Sequence, residues 1–220
     1  MFNGYDLRLK NPFNSIICGP SGSGKTILMY KLLRQRNELF TNPPQKVFYF
    51  YNEWQETYNN MELEGIVDKF IFGVPTAEKL RELVSPYKKF GTVCVFDDAL
   101  NDINEDISKI FTNLSHHLNM TVFFLSQSLF FQNKNYRTMS LNCHYLFIMK
   151  SPRDKAQIMN LAKQFSPYKT KHIIESFKTA TRKPYSYLML DFHTSTPDHL
   201  RVRSNIFPTE WPYTVWLEHP

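Results

Sequence analysis

One octapeptide restricts the fold of this chain more than any other feature. It reads Gly19-Pro20-Ser21-Gly22-Ser23-Gly24-Lys25-Thr26 and fits the G-x-x-x-x-G-K-T pattern of phosphate-binding loops. Residues 13–18 before it form a short apolar run of strand type, and residues 27–33 after it have the apolar spacing of a helix. The motif therefore lies in the strand-loop-helix context that it requires, so a chance glycine-rich turn is the weaker interpretation.

The residue types of this loop suit a nucleoside triphosphate. Its glycines permit backbone angles that are closed to other residues, so successive N–H groups can surround a β-phosphate at the start of the following helix. We expect Lys25 to reach the β- and γ-phosphates and the Thr26 hydroxyl to bind Mg²⁺. Residues 19–26 are thus the predicted nucleotide-binding residues, with ATP and Mg²⁺ as the expected ligands.

A second motif favours nucleotide hydrolysis over binding alone. The apolar run 92–96 is typical of a buried strand, and it ends in the adjacent acids Asp97 and Asp98. We expect Asp97 to hold the Mg²⁺ shell and Asp98 to orient or deprotonate the attacking water. Asp98 departs from the usual Glu and has a shorter reach. The acids could also cap a following helix, and the two roles are compatible.

A third apolar run, 120–125, is followed by Ser126-Gln127-Ser128. A polar residue at the carboxyl end of a central strand lies in the ligand crevice of an open α/β sheet. Gln127 is therefore expected to sense the γ-phosphate and hold the lytic water. A plain turn explains these residues equally well when they are taken alone. Their position, one helix and one strand after the acid pair, favours the functional interpretation.

The alternation of elements predicts the fold class. We predict strands near 14–18, 46–51, 68–73, 92–96, 121–125, 144–149 and 185–191. We predict helices near 25–37, 76–84, 103–118, 152–164 and 170–178. The order indicates an α/β fold with a mainly parallel sheet between helices, while 185–191 and 200–204 form an antiparallel edge. Residues 1–207 are predicted to form one P-loop ATPase domain, and the prolines and tryptophans of 208–220 indicate an extended arm rather than a helix or strand.

Charge and cysteine content limit the partners and the compartment. The chain of 220 residues carries a net charge of +6, which permits a polyanionic partner. It has no apolar stretch long enough to span a bilayer and no signal-peptide pattern, so we expect no membrane insertion. Cys18, Cys94 and Cys143 lie in or beside apolar runs. We expect them to be small core residues in a reducing, intracellular compartment.

Two acids and a downstream Gln on separate strands indicate the P-loop ATPases that have an extra strand between their two nucleotide motifs. Four stretches resemble the genome-packaging ATPases of the FtsK–HerA superfamily, and most of all their poxvirus-type and polinton (Maverick) or adintovirus branch. These stretches are 19–26, 95–98, 111–130 and 151–158, and the segment 181–191 is also similar to that branch. The resemblance covers about residues 13–207. It implies the ASCE, RecA/FtsK-like form of the P-loop fold.

The same resemblance implies a ring of subunits, usually a hexamer, that drives double-stranded DNA into a preformed capsid through contact with capsid vertex proteins. It also implies an arginine supplied across the subunit interface. Arg137, on a predicted loop before the strand 144–149, is the first candidate, and Arg153 is the second. The alternative for Arg137 is a solvated loop cation. For Arg153 it is a first-turn helix residue paired with Asp154.

Basic residues are the candidates for contact with DNA phosphates. They are Lys134 and Arg137 on a predicted loop next to the nucleotide crevice, and Lys163, Lys169, Lys171, Lys178, Arg182 and Lys183 in the C-terminal third. They could line a pore without reading sequence, and a solvated face explains them about as well. Other classes also remain open: a DNA helicase or conjugation-type DNA pump, a nucleotide kinase, or a nucleotide-dependent scaffold.

Overall fold

A single mixed sheet forms the centre of the molecule. The computed structural model describes residues 5–153, 155–210 and 214–216. Within these residues the sheet has nine strands, in the order β3-β2-β4-β5-β1-β6-β7-β8-β9. They are β1 (Asn14–Cys18), β2 (Lys46–Tyr51), β3 (Lys69–Phe72), β4 (Thr92–Asp97), β5 (Met120–Ser126), β6 (Tyr145–Met149), β7 (Tyr187–Asp191), β8 (Val202–Ser204) and β9 (Thr214–Val215). Strands β1 to β6 pair in parallel, and β7, β8 and β9 are antiparallel. The predicted fold class is confirmed.

Helices cover both faces of this sheet. They are α1 (Lys25–Arg34), α2 (Arg36–Leu39), α3 (Glu56–Leu63), α4 (Ala77–Val84), α5 (Glu105–Lys109), α6 (Ser115–His117), α7 (Lys134–Leu141), α8 (Lys155–Phe165) and α9 (Thr170–Ala180). A π-helix, Ile110–Leu114, connects α5 directly to α6, so the helix predicted near 103–118 is present with a wider central turn. The helix predicted near 25–37 breaks at Gln35 into α1 and α2.

Strand β4 shows how the core is divided. Val93 and Val95 face one side of the sheet and pack in the cluster that contains Leu32 of α1. Cys94 and Phe96 face the other side and pack in the cluster that contains Ile107 of α5. A parallel strand that is covered on both faces is mainly apolar, as residues 93–96 are. The polar residues of the strand, Thr92 and Asp97, are therefore its first and last, and Asp97 lies where the chain leaves the core.

The sequence did not predict α7, and the assignment of Lys134 and Arg137 to a loop was wrong. Both residues lie on this helix. The side chain of Asn133 caps its N-terminus by accepting hydrogen bonds from backbone N–H groups two and three residues on, at 2.8 and 3.2 Å. Tyr136 and Met139 are buried, and at three residues apart they lie on the same face of the helix. The cap and the two buried side chains hold this short helix against the core.

The described part of the C-terminal segment lies against the sheet. Thr214–Val215 forms β9 beside β8, so the expectation that no strand follows residue 207 was wrong. The indole N–H of Trp216 donates to the Ser204 hydroxyl at 3.0 Å, and its backbone N–H donates to the Val202 carbonyl at 2.9 Å. β-branched residues favour a strand, and the indole anchors its end. Residues 211–213 and 217–220 of the predicted arm lie outside the described residues, and the boundary at 207 stays a prediction.

The three cysteines are buried, which fits the prediction that they are small core residues. None of the helices in the described ranges is both long and apolar enough to cross a membrane.

Candidate active site

The predicted site residues meet at one edge of the sheet. Strand β5 lies between β1, which leads into the phosphate loop, and β4, which carries the acid pair. This is the interposed strand that the sequence predicts. The carboxyl ends of parallel strands meet at the same edge, where an open α/β sheet forms its ligand crevice. The predicted site residues lie at the ends of three strands at this edge: 19–26 after β1, Asp97 and Asp98 at the end of β4, and Gln127 after β5.

The loop 19–26 has a geometry that only its glycines allow. Gly24 has φ +95°, a left-handed backbone conformation that residues other than glycine rarely adopt. A Cβ atom on Gly19 would lie 2.6 Å from the Met149 Cβ, so a larger residue would displace the loop from β6. The N–H of Gly19 donates to the Ser126 carbonyl at 3.1 Å, which fastens the loop to β5. Among the described residues, the buried Ser23 hydroxyl has no hydrogen-bond partner. A phosphate oxygen in the loop would supply one.

Lys25 begins α1 and folds back over its own loop. Its Nζ donates to the carbonyls of Gly19 at 2.8 Å and Pro20 at 3.1 Å. Burial lowers the pKa of this ammonium below its usual range, and the charges of Asp97 and Asp98 partly oppose that change. The structure thus holds a partly desolvated cation inside the loop, where the phosphates of a triphosphate would bring compensating negative charge.

Asp97 is buried and accepts three hydroxyl hydrogen bonds on one oxygen. Thr26, Tyr49 and Tyr58 donate to its Oδ2 at 3.1, 2.7 and 2.9 Å. Burial raises the pKa of Asp97, and these three donors, together with the charge of Lys25, oppose the rise. Within the described part of the chain no hydrogen bond is formed to Oδ1. The contact with Thr26 joins the two residues that were predicted to bind Mg²⁺.

Sequence reasoning missed Tyr49 and Tyr58. Tyr49 lies in β2, beside β4, and Tyr58 reaches the same carboxylate from α3, which was not predicted. Their rings lie 4.9 Å apart between centroids. A tyrosine in an apolar run reads as a core residue, although a buried phenol usually needs a partner for its hydroxyl. That need is the one signal in the sequence, and it does not say which group is the partner.

Asp98 and Gln127 lie next to each other at the ends of β4 and β5. The Gln127 Nε2 is 3.4 Å from the Asp98 Oδ1, and Asp98 is exposed to the crevice side of the sheet edge. Asp98 has φ +58°, which is uncommon for a residue other than glycine. The side chain of Asn52, a second residue that the sequence did not indicate, donates to the Asp98 carbonyl at 3.0 Å. This proximity is what joint action on one water requires, and the roles stay predictions.

The two candidate arginines are both exposed. Arg137 projects from α7, and Arg153 lies between β6 and α8; Asp154, its suggested partner, lies outside the described residues. Within the described ranges neither arginine forms a hydrogen bond to Lys25, Asp98 or Gln127. In the described part of its own subunit, therefore, neither arginine is fixed to these residues by a hydrogen bond.

The fold and the crevice define a P-loop NTPase of the type with an additional strand between its two nucleotide motifs. More particularly, the chain belongs to the Poxvirus A32 protein family, which matches residues 2–192. The predicted resemblance to packaging ATPases of the FtsK–HerA superfamily is confirmed, and the chain is an ATPase. The comparison with curated proteins gave no significant match.

Several solved structures are similar to this chain. The genome packaging NTPase B204 from Sulfolobus turreted icosahedral virus 2, in complex with AMPPCP, is 15% identical with a TM-score of 0.56, over 84% of this chain and 95% of B204. EssC (ATPases 2 and 3) from Geobacillus thermodenitrificans is 10% identical with a TM-score of 0.54, over 94% and 40%. The Type VII secretion ATPase EccC from Thermomonospora curvata is 14% identical with a TM-score of 0.53, over 93% and 25%. At these identities the likeness shows a shared fold.

Proposed function

We propose that this chain is the ATP-hydrolysing subunit of a ring, expected to be a hexamer, that drives double-stranded DNA into a preformed viral capsid inside the host cell. One observation carries the proposal: a chain of the Poxvirus A32 protein family brings Lys25, the Thr26–Asp97 pair and the Asp98–Gln127 pair to one sheet edge. B204, which has the same fold, is a genome packaging NTPase. Contact with capsid vertex proteins is part of the same proposal.

The hydroxyl of Thr26 and the carboxylate of Asp97 would hold Mg²⁺, because both are the hard oxygen donors that this ion prefers. Bound there, Mg²⁺ would neutralise charge on the β- and γ-phosphates. Lys25 would exchange its loop carbonyls for phosphate oxygens. Asp98 would accept a proton from the attacking water, and the Gln127 amide would orient that water. The shorter reach of Asp98 relative to Glu requires a close approach by the water.

Tyr58→Phe is expected to raise the Mg²⁺ concentration needed for nucleotide binding by about tenfold. This is the usual contribution of one hydrogen bond to a charged group. The change removes one donor from Asp97 and keeps the ring. Since that donor opposes the burial-induced rise in the pKa of Asp97, its loss raises the pKa further, and the defect should be larger at pH 6 than at pH 8. The measurement is a Mg²⁺ titration of nucleotide binding at both pH values.

Tyr51→Phe is the matched control, because Tyr51 packs against Tyr58 but does not bond to Asp97. A similar shift in both variants would assign the effect to ring packing and contradict the role of the Tyr58 hydroxyl.

The salt dependence of DNA binding tests the proposal that double-stranded DNA is the translocated substrate. Lys134 begins α7, and Arg182 and Lys183 lie in the turn before β7; all three are exposed. A motor that grips DNA of any sequence should bind phosphates, so log affinity should fall with log salt by about −0.9 per phosphate and depend little on base sequence. Replacing all three by Gln should reduce that slope by up to about 3 and lower DNA-stimulated hydrolysis.

The control replaces Lys69, Lys88 and Lys89 by Gln, which removes the same charge. These lysines are exposed and lie at or before the amino ends of β3 and β4, at the opposite edge of the sheet from the crevice. Equal losses in both triple variants would mean a general charge effect. Hydrolysis that ignores duplex DNA at every length would contradict the proposal, and movement along naked DNA without a capsid would favour a conjugation-type pump.

A further inference from the structure

An exposed tyrosine lies against the phosphate loop. Tyr185 is in the turn between α9 and β7, and a Cβ atom on Gly24 would lie 3.0 Å from its Cδ1 and 3.3 Å from its Cβ. The residue is nevertheless 67% exposed. Its ring therefore forms an open aromatic wall beside the glycine that precedes Lys25. We propose that this wall is the platform for the nucleoside part of the bound triphosphate, an inference that rests on the nucleotide site proposed above.

The backbone of Tyr185 supports a functional reading of this contact. It has φ +60°, a left-handed conformation that is unfavourable for a bulky residue and persists only where the surroundings impose it. The turn is held from two sides: the Ser186 hydroxyl donates to the Lys183 carbonyl at 2.6 Å, and the Lys150 Nζ donates to the Arg182 carbonyl at 3.1 Å. Burial of the ring does not explain this conformation, because most of the residue is exposed.

The order of the strands places Tyr185 where the nucleoside should emerge. The groups proposed to act on Mg²⁺ and water, Asp97, Asp98 and Gln127, end β4 and β5 on one side of β1. Strands β6 and β7 lie on the other side of β1, and Tyr185 comes two residues before β7. A triphosphate held in the loop with its γ-phosphate toward β4 and β5 would direct its sugar and base toward β6 and β7.

The chemistry of the platform defines its ligand class. A phenol ring can stack on the face of a nucleobase, and stacking depends little on the groups at the edge of the base. The platform should therefore accept the purine ring of either ATP or GTP. It makes no contribution to a ligand that consists of phosphates alone. Loss of one stacked base contact corresponds to about tenfold in affinity.

The experiment compares two ligands by calorimetric titration: Mg·ATP, and Mg·tripolyphosphate, which lacks sugar and base. Tyr185→Gly is the main variant, because glycine adopts φ +60° without strain and removes only the ring. We expect Tyr185→Gly to bind ATP about tenfold more weakly, to bind tripolyphosphate as the parent does, and to unfold at the parent temperature or above it. Tyr185→Phe, which keeps the stacking face, should bind both ligands as the parent does.

Three results would overturn the platform. Equal weakening of both ligands would mean that Tyr185 only shapes the loop. Unchanged ATP affinity in Tyr185→Gly would assign the ring to another contact, such as a neighbouring subunit. Weak ATP binding by Tyr185→Phe would assign the effect to the hydroxyl. A separate variant, Lys25→Ala, tests the nucleotide site itself. If that site were wrongly assigned, Lys25→Ala would bind both ligands as tightly as the parent does, whatever the result for Tyr185.

Discussion

Asp98→Asn is expected to bind Mg·ATP with the parent affinity and to hydrolyse it about 10²- to 10⁴-fold more slowly, the usual contribution of a general base. The substitution keeps the size of the side chain and its capacity to bond to the Gln127 amide, but it removes the basic oxygen. Because Asp98 is predicted to act on water and not on phosphate, only turnover should change. The measurement is kcat by phosphate release, with the dissociation constant of Mg·ATP determined in parallel.

Two variants control this result. Lys25→Ala should lose tight ATP binding, since Lys25 is the cation of the phosphate loop. Asp98→Glu keeps a carboxylate at a longer reach and should hydrolyse ATP faster than the Asn variant. Hydrolysis by Asp98→Asn at the parent rate would show that another group accepts the proton.

The positions of the principal site residues could be predicted because the constraints on them are local. Strands β4 and β5 are buried on both faces, so apart from Thr92 and Thr121 their sequences are apolar until the polar residues that mark the sheet edge. The glycines of 19–26 meet a backbone requirement of the loop itself. Asp97, Asp98 and Gln127 could therefore be placed without knowledge of the tertiary packing.

The rest of the site depends on contacts between distant segments. Tyr49 and Asp97 are in neighbouring strands, and Tyr58 reaches the same oxygen from α3, where only it and Met61 are buried. Such a short helix has little stability of its own and forms because its few apolar residues pack against the sheet. Tyr185 lies beside Gly24 only because β7 follows β6 in the sheet. No spacing in the sequence contains this information.

The helical position of Arg137 changes what an arginine supplied in trans can do. A loop can move its side chain independently, whereas α7 is packed on the core through Tyr136 and Met139. The backbone of Arg137 is therefore held in place, so the arginine would approach a neighbouring nucleotide site through the movement of whole subunits. Arg137 is exposed and, within the described part of its own subunit, forms no hydrogen bond to the crevice residues, which suits such a role.

Arg137→Ala is expected to lower ATP hydrolysis by about 10³- to 10⁵-fold, the contribution of an arginine finger in related chemistry. If the arginine acts in trans, mixing this variant with Lys25→Ala should restore activity, because some interfaces then combine an intact Lys25 with an intact Arg137. Random mixing in equal amounts gives that combination at about a quarter of the interfaces, so independent sites would recover about a quarter of the parent rate. Even partial recovery would give a rate of ATP hydrolysis far above that of either variant alone.

Arg153→Ala, mixed with Lys25→Ala in the same way, tests the second candidate. Arg137→Lys separates charge from geometry, because an ammonium keeps the charge but lacks the planar fork that binds phosphate oxygens in pairs. We expect it to remain strongly impaired. If rings shown by mass to contain both variants recover no activity at any ratio with Arg137→Ala but do recover with Arg153→Ala, the finger is Arg153. The exposed arginine on α7 would then be a surface cation, and the segment between β6 and α8 would face the neighbouring nucleotide.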